Sequence, residues 1–529
     1  MAGNTDNVER KAPSPENRDR AKTSPENRSR AKTSPENRSR AKKPESGKKA
    51  GEKKKKRPKT ESQTPIRVVG WMVSLLLAAT LVYFLWFEIE GKKDVLVNPL
   101  NNRTANMEKV VRKGDIMSSD SVVLATTQNA ADGTEYRLYP FNGVFAHTLG
   151  YTPLGGMGLE STQKIKLLTC NVNFLTQMRN ELVGVKNTGD KLVTTLDYRL
   201  SQFCYDQLAG RNGAIIAMEP KTGKVLAMVS SPNFNPNTIR EDWSAIISEE
   251  NTDANLVNRA SQGAYPPGST FKLITLLEYI REHPSDWQDF RYTCTGLYEK
   301  DGYTMGCHGV AHGEMDIFGA FAMSCNGAFD TMAESLDAEK WDKTAKEFGY
   351  NTSYSFEFQS RRSSFSAARD DSVPVRMQLA IGQGSTITSP LINLLGYCSV
   401  ANGGVMMKPY LIDRFVSADG KVVEQAGPEE LQRCCTKEEA ELLNTFLTRV
   451  INEGTAGLAR TELAQVAGKT GSAQYSSADD KFHAWFCGYA PAEDPKIAVC
   501  VFLERGGQGG DVAAPVAGSI FDYYFRNGY

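Results

Sequence analysis

Hydrophobic positions are distributed unevenly along this chain. The first sixty or so residues hold almost no large apolar side chains. "VVGWMVSLLLAATLVYFLWF", Val68 to Phe87, then runs without a charge for about twenty residues, the length of one helix across a bilayer core. Beyond it the pattern is that of folded protein. "GTEYRLYPFNGVFAH" contains strand-like stretches, and "LESTQKIKLLTCNVNFLTQMRNELVGV" has helical periodicity. From residue 191, "KLVTTLDYRLSQFCYDQLAG" reads as a strand entering an amphipathic helix. "NGAIIAMEPKTGKVLAMVSSPN" is two apolar runs around a turn punctuated by Pro220 and Gly223, hence a hairpin. Near the C-terminus "QVAGKTGSAQYS", "HAWFCGYAP" and "KIAVCVFLE" read as three strands, and "AAPVAGSIFDYYFR" as a closing helix. Strands at both ends around a helix-rich middle predict an α+β fold whose terminal strands share one antiparallel sheet.

Charge divides the chain further. The net charge is zero over 529 residues, yet residues 1–67 carry about twelve more Lys and Arg than Asp and Glu. Residues 11–40 are three decapeptides, "KAPSPENRDR", "AKTSPENRSR" and "AKTSPENRSR". With so few apolar groups this tail cannot offset the entropy of ordering, and it reads as disordered. The basic side of a span faces the cytoplasm, so the body lies outside the cell membrane. The expected organisation is a basic tail (1–67), a transmembrane helix (68–87), an extracytoplasmic pedestal (88–190) and a C-terminal domain (191–529). Ten cysteines are scattered through the chain, and Cys294 with Cys307, bracketing "CTGLYEKDGYTMGC", is the best disulfide candidate.

The candidate chemistry sits in "AYPPGSTFKLITLLEYIREH". Pro266, Pro267 and Gly268 form a turn, and helical spacing of apolar residues follows. Ser269 is thereby placed at a helix N-terminus with Lys272 one turn on. A serine hydroxyl needs a base to act as a nucleophile, and a desolvated lysine can be that base. Ser-x-x-Lys also begins at Ser29, Ser39, Ser46 and Ser161, but only at Ser269 does a turn lead into a helix. "FAMSCNGAFDTM" adds Ser324 and Asn326, a hydroxyl that can relay a proton and an amide that can hold a peptide; Ser231 and Asn233 repeat the spacing without that context. Lys-Thr-Gly occurs twice. Lys221, Thr222 and Gly223 make the hairpin turn, whereas Lys469, Thr470 and Gly471 lie on a strand. A strand edge there can pair with an extended peptide, with Lys469 and Thr470 offered to a carboxylate.

Ser-x-x-Lys, Ser-x-Asn and Lys-Thr-Gly, in that order, resemble the signature of the penicillin-recognising serine enzymes. "YPPGSTFK", "MSCNGAF", "AIGQGSTITSPL", "ANGGVMMKPYL", "AGKTGSAQ" and "HAWFCGYAP" look like a class B penicillin-binding protein of the short-pedestal type. The resemblance covers roughly residues 95–525. It implies a penicillin-binding transpeptidase fold, an antiparallel sheet flanked by helices as in serine β-lactamases. It implies Ser269 as nucleophile, Lys272 as base, Ser324 with Lys469 as proton shuttle, Asn326 as substrate holder, and Thr470 and Ser472 as carboxylate binders beside Gly471. The N–H groups of Ser269 and Ser472 would form the oxyanion hole. Gly382, Gln383 and Gly384 look like a structural motif near the site. The implied reaction is cross-linking of D-Ala-D-Ala stem peptides of peptidoglycan, blocked by β-lactams. The implied partner is a polytopic membrane glycan polymerase; nucleic acid is not expected.

Other readings have less support. "CHGVAH", with Cys307, His308 and His312, could suggest zinc with Cys294 as fourth ligand, but the spacing is not that of a common zinc module, and neither metal nor cofactor is expected. There is no His-Glu-x-x-His and no Walker loop. A D,D-carboxypeptidase differs only in its acceptor. A β-lactamase would rarely carry an anchor and pedestal, a bifunctional synthase needs more than residues 88–190 offer, and a β-lactam sensor would need a folded cytoplasmic domain.

Overall fold

The computed structural model describes residues 64–86, 102–307, 309–476 and 481–528. The decapeptide repeats, Phe87 and His308 lie outside the described residues. Helix α1, Thr64–Trp86, contains the apolar span, Arg67–Trp86, long and apolar enough to cross a membrane. It begins a few residues earlier than the apolar run, and Pro65 is tolerated near its start because the N–H that proline lacks would have no intrahelical partner there.

The body is built on a five-stranded antiparallel sheet. In chain order its strands are β1 (Gly213–Met218), β2 (Val225–Ser231), β3 (Ala467–Ser476), β4 (Lys481–Ala490) and β5 (Ile497–Leu503). Their spatial order is β3-β4-β5-β1-β2, so the two ends of the C-terminal region meet where β5 pairs with β1. Every residue of β1 and β5 is buried, which explains their unbroken apolar runs: both faces of the sheet are covered. Helix α2 (Tyr198–Leu208) and the closing helix Gly509–Arg526 cover one face, with Phe203 stacked on Tyr523 at 4.1 Å. The other face carries helix Pro390–Ala401, buried along almost its whole length. Its start is set locally: Pro390 needs no N–H partner, and Ser389 accepts from the Ile392 N–H.

A second sheet has six strands in the order Val422–Gln425, Ile412–Val416, Lys191–Thr194, Ile116–Met117, Val123–Asn129 and Glu135–Leu138. Ile116–Met117 pairs in parallel with Lys191–Thr194, so one sheet runs through residues on both sides of 190. Beside it Glu160 is fully buried between Arg137, whose Nε lies 2.8 Å from Oε1, and Lys113, which bonds Oε2. All ten cysteines are free thiols, which corrects the expected Cys294–Cys307 disulfide.

Candidate active site

The Pro-Pro-Gly turn does what its residues allow. Gly268 has φ +56°, a left-handed conformation that suits glycine, and opens a short 3-10 turn, Gly268–Thr270. Helix α3 (Lys272–Glu282) follows directly. Ser269 thus stands on the turn before the helix, 8% exposed, at the floor of a groove of about 780 Å³. The turn is held from behind: Asn393 Nδ2 donates to Thr270 Oγ1 at 2.9 Å, and Tyr397 Oη donates to Thr270 O at 2.8 Å. Both come from the central helix Pro390–Ala401.

Lys272 is completely buried, and its bonds reach across the chain. Nζ donates to Ser324 O at 2.8 Å, to Ser324 Oγ at 3.4 Å and to Asn326 Oδ1 at 2.7 Å. Burial lowers its pKa from 10.5 to about 8. Ser324 has φ +57°, an uncommon conformation for a side chain with a Cβ, held on the turn before helix α4 (Asn326–Ser335). The Asn326 amide is engaged at both ends, since Nδ2 donates to Gly306 O at 2.8 Å. Asn326 therefore orients Lys272 as well as lining the groove.

Strand β3 forms the edge of its sheet, facing the turn. With its amide oriented to satisfy both partners, the Gln383 side chain accepts from Gln474 N at 2.8 Å and donates to Gln474 O at 3.3 Å. The backbone groups of Gln474 therefore point away from β4. Because strand geometry repeats every two residues, those of Ser472 and Thr470 point the same way, toward the open edge. Gln383 caps the edge at Gln474, and Ser472, two residues on, lines the groove with Ser269. Side chains alternate likewise. A Cβ on Gly471 would meet Pro267 O at 2.9 Å and Thr270 Cγ2 at 3.1 Å, so the glycine admits the turn that carries Ser269. Lys469 shares that face and is fully buried, its Nζ bonded to Thr470 O at 3.1 Å. Burial, and then the charge of Lys272, hold its pKa well below the usual lysine range. Thr470 Oγ1 lies 2.6 Å from Thr455 Oγ1, and Ser472 Oγ accepts from Gly509 N at 3.0 Å.

Of the motif residues expected from the sequence, Ser269, Ser324, Asn326, Thr470 and Ser472 line this groove or the cavity next to it, Lys272 bonds Ser324 and Asn326, Gly471 packs on the turn, and Lys469 is buried within reach of the Lys272 charge. The first Lys-Thr-Gly does not: Lys221 is about half exposed and pairs with Asp494. Sequence reasoning missed Asn393 and Tyr397, which lie in an apolar helix whose pattern signals only burial. It left Gly382 and Gln383 without a stated role. Gly382 has φ +69°, and a Cβ there would meet Gly268 O at 2.4 Å. Its carbonyl accepts from Gly268 N at 2.9 Å.

A serine on a turn, a buried lysine of lowered pKa, a hydroxyl bonded to that lysine and an open strand edge that can pair with an extended peptide meet at one groove. Comparison with known proteins agrees. The penicillin binding protein transpeptidase domain matches residues 213–522, and the chain belongs to that family. It is 26% identical over 492 residues to peptidoglycan D,D-transpeptidase PbpA of Mycolicibacterium smegmatis, covering 88% of this chain and 99% of that protein. It is 29% identical over 450 residues to peptidoglycan D,D-transpeptidase MrdA of Acinetobacter baumannii, covering 73% and 66%. Among solved structures, the D,D-transpeptidase domain of a peptidoglycan glycosyltransferase from Eggerthella lenta superposes with TM-score 0.71 at 28% identity, over 79% of this chain and 99% of that one. The imipenem acyl-enzyme of penicillin-binding protein A from M. tuberculosis gives 0.71 at 25%, over 78% and 99%. The chain is a class B penicillin-binding protein.

Proposed function

We propose that this protein is a peptidoglycan D,D-transpeptidase acting through an acyl-enzyme on Ser269. The observation that carries the reading is the placement of Ser269 between Lys272, with its depressed pKa, and the open edge of the Lys-Thr-Gly strand. Ser269 Oγ attacks the carbonyl between the two terminal D-alanines, and its proton passes to neutral Lys272. The N–H groups of Ser269 and Ser472 hold the developing oxyanion. Ser324, already bonded to Lys272, relays a proton to the departing D-alanine amine. Thr470 and Ser472 take the terminal carboxylate; its negative charge restores the proton on Lys469 that burial disfavours in the free enzyme. The amine of a neighbouring stem then attacks the ester, gives up a proton by the reverse relay, and forms the cross-link. A β-lactam acylates the same serine.

The reading extends to the whole chain. Helix α1 is a single anchor, the basic tail is cytoplasmic and the catalytic body extracytoplasmic. A monofunctional cross-linking enzyme works beside a membrane glycan polymerase. Labelling with a fluorescent penicillin tests the chemistry: wild type takes the label and Ser269→Ala does not. Absence of label on wild type would overturn it. In a lipid II polymerisation mix the product is cross-linked dimer; free D-alanine without dimer would replace the transpeptidase by a carboxypeptidase.

A further inference from the structure

The hairpin that walls the groove carries a second cluster, made of other residues than the motif residues named above. Cys294 ends strand Arg291–Cys294, whose antiparallel partner Gly313–Asp316 sets Gly313 opposite it, so His312 arrives alongside. Between them runs the hairpin Leu297–Lys300 and Tyr303–Gly306. Cys307 follows, its N–H bonded to Gly296 O at 2.9 Å. Cys325 approaches from the other side, as the residue before helix α4. One ligand atom from each of Cys294, Cys307, His312 and Cys325 lies within 4.8 Å of all the others.

Three observations point to a ligand. First, the sulfurs of Cys307 and Cys325 are 3.7 Å apart. That is far beyond a disulfide, at about 2.05 Å, and close to the edge of roughly 3.8 Å expected for sulfurs around zinc at about 2.3 Å. Second, His312 Nδ1 is buried and has no hydrogen-bond partner. A buried polar atom left so costs about 1–3 kcal/mol. Third, the hairpin has almost no core of its own: no residue of Leu297–Lys300 or Tyr303–Gly306 is fully buried, whereas all three cysteines are. Small exposed segments of this kind need a staple to hold one conformation.

We propose that Cys294, Cys307, His312 and Cys325 bind one Zn²⁺ as a closed Cys₃His site. Four protein ligands leave no open position, so the metal is structural. Soft thiolates favour zinc over magnesium or calcium. Binding releases the three thiol protons, and the Gly296 N–H, 3.4 Å from Cys294 Sγ, helps to disperse the remaining charge. From the sequence, Cys294, Cys307, His308 and His312 are the ligands to consider, and zinc is set aside because their spacing is not that of a common zinc module. The fourth ligand is instead Cys325, concealed in the centre of the Ser-x-Asn motif. That position couples the metal to the active site. Cys325 stands between Ser324 and Asn326, which together hold Lys272 Nζ, and Asn326 bonds Gly306, next to Cys307. The metal is thus a positioning element for the Ser324 turn.

The test uses the full chain purified in detergent under reducing, chelator-free conditions. Mass spectrometry of metals is expected to find one zinc per chain, and exchange for Co²⁺ to produce thiolate charge-transfer absorption. His312→Ala and Cys325→Ala are expected to weaken zinc binding at least about tenfold, whereas Cys170→Ser, away from the cluster, keeps it. Zinc at background in wild type, without cobalt absorption, would overturn the site, as would an intact mass showing a Cys307–Cys325 disulfide. Neither readout depends on whether a variant folds or on catalysis. Stripping the metal is expected to slow penicillin labelling about tenfold; unchanged labelling of metal-free protein would overturn the positioning role.

Discussion

At the scale of single residues, environment separates identical motifs. Lys221 and Lys469 each open a Lys-Thr-Gly, yet the first pairs with Asp494 in solvent and the second is sealed inside the sheet edge. Lys221→Ala should leave penicillin acylation within about twofold of wild type and stability within about 0.5 kcal/mol. Lys469→Ala should reduce acylation at least about a hundredfold, measured as the second-order labelling rate. Lys272 makes a pH prediction. Lowering its pKa from 10.5 to about 8 raises the neutral fraction at pH 7 roughly 300-fold. Acylation should therefore rise with pH and level off above about 8, as the ammonium loses its proton. Asp330, buried nearby with neither carboxyl oxygen hydrogen-bonded, is pushed up by burial to about 8, and its charge raises that of Lys272. Asp330→Asn, which removes the partial charge that Asp330 carries near pH 8, should move the limb slightly to lower pH, read from the pH dependence of the labelling rate.

At the scale of elements, the site depends on how closely β3 meets the turn that carries Ser269. Gly471 has a strand conformation that any residue adopts, so its requirement is space, with Pro267 O and Thr270 Cγ2 in the way of any Cβ. Gly471→Ala should cost about 1–3 kcal/mol of overpacking and slow acylation more than tenfold, because strand and turn must separate. Urea unfolding and labelling rates check the two effects separately. The elements themselves were legible in the chain. The hairpin β1–β2, the three C-terminal strands and the closing helix follow from apolar runs, turn residues and caps, all local signals. The edge cap by Gln383 was not legible, because a glutamine carries no mark of the strand it faces 91 residues later.

At the scale of the whole molecule, the six-stranded sheet joins residues 116–138 to strands after 190 and after 411. Its short strands could not announce a parallel pairing across that distance. Glu160, between Arg137 and Lys113, lies beside this sheet. Burial alone would raise its pKa, but Arg137 and Lys113 outweigh it and hold the carboxyl below its usual range. The ion pairs are therefore intact above about pH 4.5, and their contribution is lost as pH falls through the lower folded value. Glu160→Gln leaves two buried cations uncompensated and should cost about 3–5 kcal/mol, read from chemical denaturation at neutral pH.

The sequence by itself determined the order of the three motifs, the turn at Ser269 that leads into helix α3, the strands and helices of the α+β body, and the apolar span. These rest on interactions within a few residues, where spacing along the chain is spacing in space. Tertiary structure alone decided what each motif touches. Lys272 finds Ser324 and Asn326 more than fifty residues away, Thr270 finds Asn393 and Tyr397, and Cys325 joins Cys294, Cys307 and His312. Periodicity tells which face of an element is buried; only packing tells against what, and there the pKa of Lys272, the open edge at Ser472 and the four-ligand cluster arise.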